Sequence, residues 1–115
     1  MAIYEADGLP PAPLAAAAEF HARHIPMIQQ AASAADHDCL IVAFPDADHT
    51  HHAWRLAAVQ MLARAIAPRR INGVSGGSGQ AIGAAADYFQ HAPGLTGQLI
   101  SLDDSGAGAV LPSAS

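Results

Sequence analysis

The chain has 115 residues, of which 51% are hydrophobic and 13% charged, with ten acidic side chains against five basic ones and a formal net charge of −5. That size suits one domain, and the acidic balance argues against nucleic acid and against an anionic membrane as partners. A small chain this apolar exposes much of what it carries, so self-association or a protein partner is expected.

Taken from its start, Ala2–Tyr4 is a short candidate strand, closed by Asp7-Gly8 and the Pro10-Pro11-Ala12-Pro13 breaker. Pro13 is placed to open a helix, because the first turn has no use for its missing N–H. Leu14 to about Ala35 is rich in helix formers, with a kink or break expected near Ile25 ahead of Pro26. Cys39-Leu40-Ile41-Val42-Ala43-Phe44 is a continuous apolar run and reads as a strand covered on both faces. Its single cysteine excludes an intramolecular disulfide and fits a reducing cytoplasm. A helix from about His51 to Ile66 follows; it is apolar nearly all round, so more than one side is expected to be covered. One side would meet the sheet and the other a partner helix. After Pro68, Arg70–Val74 is a strand, Gly76-Gly77-Ser78-Gly79 a tight turn, Gln80–Gln90 a helix and Gln98–Leu102 another strand. Residues 1–105 would form the domain and 106–115 a flexible tail. The alternation predicts a parallel α/β sheet with right-handed crossovers. No stretch reaches the ~20 apolar residues of a membrane span, and no secretory signal is visible, so a cytoplasmic protein is expected.

Three segments carry a family resemblance. Ala57–Pro68 resembles the long helix that follows the catalytic tyrosine of short-chain dehydrogenases/reductases. Arg70-Ile71-Asn72-Gly73-Val74-Ser75-Gly76-Gly77 is similar to that family's next strand and its V-N-x-V pattern. Leu95-Thr96-Gly97-Gln98-Leu99-Ile100-Ser101-Leu102-Asp103 resembles its Thr-Gly-Gln turn and last strand. Upstream, Ile25–Ile28 resembles the middle of the family's preceding helix and Cys39–Phe44 the strand after it, and more loosely Ala2–Gly8 resembles its fourth strand and the turn that follows. The resemblance implies a Rossmann-like partial parallel sheet of about three or four helix-flanked strands, matching the family's C-terminal half without its N-terminal dinucleotide-binding half.

It also implies where the family's chemistry would sit. The tyrosine position falls on His52, the lysine one turn later on Leu56, and the serine after the strand on Pro45 or Asp46. Leucine neither lowers a neighbour's pKa by charge nor holds a ribose hydroxyl. The expectation is therefore a catalytically degenerate member with no cofactor, acting as an assembly subunit: a homo-oligomer, or the partner of a full-length dehydrogenase. In the resembling family the helices matching Leu14–Ala35 and His51–Ile66 form a four-helix subunit interface, which nominates Trp54, Val59, Met61, Leu62 and Ile66.

Two polar clusters suggest an alternative, a small-ligand or metal-binding module. Asp46, Asp48, His49, His51 and His52 are ligand types for first-row metals; the competing reading is a helix start capped by Asp48 or Thr50. His21 and His24, one turn apart on the first helix, would add to the set if the fold brings them near. The Gly73–Gly79 turn, with Gly76, Gly77, Ser78 and Gly79 as its candidate ligand-binding residues, lies between a strand and a helix, where backbone N–H groups can cradle an anion; the competing reading is a plain turn and cap. His52 as acid/base, oriented by Asp46 or Asp48, is a third possibility.

Overall fold

A computed structural model describes residues 2–34 and 38–102. Four strands form one parallel sheet in sequential order: β1 (Ala2–Glu5), β2 (Cys39–Phe44), β3 (Arg70–Ser75) and β4 (Leu99–Ser101). The register aligns their carboxyl ends, pairing Glu5 with Ala43, Phe44 with Ser75, and Ser75 with Ser101. β2 is buried at every position, as its unbroken apolar run requires.

The first helical stretch begins with Pro13 in the opening turn of α1 (Pro13–Glu19). It continues through a π-helical turn at Phe20–His24 into α2 (Ile25–Ala34). The expected break at Pro26 is thus a widened turn: proline clashes with the carbonyl four residues back, and a π turn relieves that crowding without ending the helix. Residues 35–37, where the sequence extends the helix to Ala35 and then places Asp36 and His37, lie outside the described residues, as does the tail at 106–115.

A short 3₁₀ turn at His49–His51 leads into α3 (His52–Ala65), and Ser78 caps α4 (Gly79–Gln90) by accepting a hydrogen bond from the Ala81 N–H. Alternation along β2 separates two cores. Leu40, Val42 and Phe44 face Phe20, Ile28, Val59 and Leu62 from the first three helices. Cys39, Ile41 and Ala43 face Ala81, Ala85, Ala86 and Phe89 from α4. Arg70 fastens the end of α4 by donating from Nη1 to the Phe89 and Ala92 carbonyls, both at 2.9 Å. Buried Asn72 ties β3 to the loop before β4, donating to the Leu95 carbonyl and accepting from the Gln98 N–H.

This layering corrects the crossover expectation. Every connection steps the same way across the sheet, yet α4 lies on the face opposite α1–α3. The β3–α4–β4 crossover therefore has the opposite hand to the two before it, against the uniform right-handedness read from the alternation.

The other correction concerns α3. Its buried residues are Arg55, Ala58, Val59 and Leu62, one stripe at helical spacing, with His51 a turn earlier. Trp54 and Ile66 are half-buried against that core. Val59 and Leu62, expected at a subunit interface, lie inside this chain's own core; of that set only Met61 is exposed, at 44%. Ala53, Ala57 and Ala65 add a row of small side chains to the outer face.

Candidate functional site

The loops leaving β2 and β3 run to helices on opposite faces, so a crevice opens between them at the carboxyl edge of the sheet. Open α/β sheets bind ligands at such points. A cleft there of about 540 Å³ is lined by Glu5, Asp7, Asp46, Gly76, Gly77 and Leu102 among others. Gly76 and Gly77 have φ of 76° and 85°, which glycine adopts freely. A Cβ on Gly77 would stand 2.7 Å from the Leu102 Cβ, so the close approach also requires glycine.

That geometry bears on the anion cradle expected at Gly76–Gly79. The Gly76 N–H is spent on the Phe44 carbonyl, and Ser78 Oγ caps Ala81. Among the described residues, three carboxylates and no base line the cleft, a field that repels phosphate. The turn-and-cap reading describes these residues better than the cradle.

The His/Asp loop is likewise organised by local bonds. Asp48 caps the 3₁₀ turn, accepting from the Thr50 N–H at 2.9 Å and from the Thr50 hydroxyl. Those bonds hold its carboxyl below the usual range. His51 is buried with both ring nitrogens engaged: Nε2 lies 3.0 Å from the Pro11 carbonyl, and Nδ1 accepts from the Trp54 indole at 3.1 Å. Donation to a carbonyl fixes the proton on Nε2 and leaves His51 no lone pair for a metal. His49 and His52 are exposed. Among the described residues, no three His, Cys, Asp or Glu side chains converge into a metal site.

His21 and His24 also serve local structure. His21 Nδ1 lies 2.7 Å from the Ala17 carbonyl on its own helix. His24 is 3% exposed and bridges Tyr4 Oη at 2.7 Å and the Asp7 carbonyl at 3.0 Å. Its Nε2 donates to that carbonyl, so Nδ1 accepts the tyrosine proton. Burial and the nearby Arg23 charge pull its pKa below the usual histidine value.

The residue the sequence reading passed over is Arg55. It belongs to the buried stripe of α3 and is 3% exposed. Its Nη1 donates to the Pro45 carbonyl at 2.9 Å and to Ser75 Oγ at 3.3 Å, while its guanidinium carbon sits 4.9 Å from the centre of the Phe44 ring. Burial draws its pKa down, opposed by Asp46. A cleft of about 280 Å³, lined by Arg55, His49, His52, Ser75 and Ser101 among others, opens beside it. One signal pointed to it: Arg55 is a base spaced three, four and seven residues from Ala58, Val59 and Leu62.

His52 and Leu56, which the resemblance sets at the family's tyrosine and lysine positions, are exposed and half-buried respectively. A model of the family described as "Short chain dehydrogenase-like protein" matches residues 4–102, most of the chain. Neither the curated proteins nor the solved structures gave a match. The chain belongs to the short-chain dehydrogenase-like family.

Proposed function

We propose that this member of the short-chain dehydrogenase-like family acts without catalysis, as an assembly subunit that pairs with itself or with a full-length relative. The observation that carries the reading is the outer face of its helices. Leu14 on α1 is 86% exposed and Met61 on α3 is 44% exposed, on neighbouring helices of the same sheet face. Apolar side chains held outward in this way lose their unfavourable hydration when a partner covers them. The β1 edge adds to it, with Ile3 at 44% and Met27 at 52% exposure beside an edge strand. Leu56 at the lysine position and His52 at the tyrosine position support the non-catalytic part, since neither reproduces a lysine-assisted phenol.

Sedimentation velocity of the purified chain, alone and mixed with a full-length dehydrogenase of the family, tests the proposal. A dimer or a mixed complex at micromolar concentration is expected. A folded monomer that sediments unchanged in both experiments would refute it.

A further inference from the structure

Arg55 carries a full charge into an apolar setting. Phe44 and Trp54 flank the guanidinium at 4.9 and 5.7 Å, and the buried Nε has no hydrogen-bond partner among the described residues. Among the described residues no carboxylate comes within ion-pair distance. A buried cation left without a counter-ion is costly, and proteins rarely keep one for stability alone. Its Nη1 is held by the Pro45 carbonyl and Ser75, which fixes the plane of the guanidinium; Nε is closed off from solvent, and Arg55 meets the cleft at the small part of its surface left exposed. A carboxylate in the cleft would give that charge the counter-ion it lacks, with the charge-assisted hydrogen bonding a guanidinium favours.

The cleft beside it sits at the carboxyl ends of the strands, between loops that diverge to opposite faces. At about 280 Å³ it admits a molecule of only a few heavy atoms. Ser75 and Ser101 line it as neutral hydroxyls, and Asp48, His49 and His52 are also in its lining. A single buried cation against nearby Asp48 and Asp46 disfavours a polyanion and tolerates one negative charge. A cationic group on the same ligand would meet Asp48.

We propose that this cleft binds a small zwitterion, its carboxylate on Arg55 and its amino group toward Asp48. The site is independent of assembly, so either proposal can fail without the other.

The test is a titration of ¹⁵N-labelled protein, followed by NMR, with alanine, propionate and inorganic phosphate as probes. Alanine should give saturable shifts at Arg55 and Ser75, propionate should bind several-fold more weakly, and phosphate should not saturate. Arg55→Lys keeps the charge but loses the fork, so alanine affinity should fall about tenfold. Arg55→Met should lose binding while remaining folded, because an apolar side chain replaces an unpaired buried charge. If Arg55→Met fails to fold, Ser75→Ala carries the test, with a several-fold loss expected. The proposal is overturned if alanine never saturates, if phosphate binds best, or if Arg55→Lys and Ser75→Ala both bind like the parent. Equal binding of propionate and alanine overturns the amino-group assignment.

Discussion

Two buried titratable side chains report on the fold from opposite layers. His24 bridges Tyr4 and the Asp7 carbonyl only as a neutral ring, and burial holds its folded pKa below the ordinary value of about 6.5. Between those two pKa values the unfolded chain binds a proton that the folded chain refuses. Its contribution is therefore complete above the unfolded pKa and is lost as pH falls below it. The melting temperature should decline on acidification from pH 7 toward 5, and His24→Gln should flatten that part of the profile. An unchanged slope in the variant would remove His24 as its source. In the other layer, Cys39 is fully buried and burial raises its thiol pKa, which keeps it protonated and shielded at neutral pH. A disulfide reagent should find no reactive thiol in the native protein and one per chain in denaturant; rapid native labelling would contradict the buried β2.

At the scale of elements, Gly73 shows how closely β3 is packed. A Cβ there would lie 2.9 Å from Leu99 Cδ1, 3.0 Å from Val59 Cγ2 and 3.3 Å from the Phe44 ring. Gly73→Ala should cost about 1–3 kcal/mol, read as a lower urea midpoint, because three core side chains have to shift. A midpoint at or above that of the parent would mean the core gives way more easily than the spacing implies. Such crowding is invisible in the sequence, where Asn72-Gly73 reads as a family pattern without its neighbours. What was legible had local causes. The apolar run at Cys39–Phe44 announced a two-sided strand, Pro13 a helix start, and Ser78 a cap. The missed features are non-local. Which face α4 covers depends on crossover hand, which alternation of elements does not encode. The burial of Arg55 depends on its place in the stripe of α3, and counting apolar residues around that helix hid the stripe. The histidine cluster misled for a related reason: residue type suggested ligands, while His51 was already committed to Pro11 and Trp54 from a distant loop and the next turn.

For the whole molecule, the two faces of α3 separate folding from association. Leu62 is 2% exposed and packs with Phe20, Ile28 and Val59, whereas its neighbour Met61 is 44% exposed on the outer face. A glutamate at Leu62 would place an unpaired charge in that core, costing about 4 kcal/mol or more, a large part of the stability of a domain this size. Leu62→Glu should therefore unfold the chain and says nothing about assembly. Glutamate at Met61 meets water in the monomer, so its effect on folding should be within about 0.5 kcal/mol. At an interface, the same charge is buried against a partner's apolar side chains and opposes association. Met61→Glu should thus leave the circular dichroism spectrum and urea midpoint of the monomer in place while shifting sedimentation toward a single chain. Leu14→Glu, on the neighbouring α1, should act in the same direction if both helices share the interface. Oligomers that persist in both variants would move association to the β1 edge, where Ile3→Lys should then disrupt it by adding charge to an edge strand.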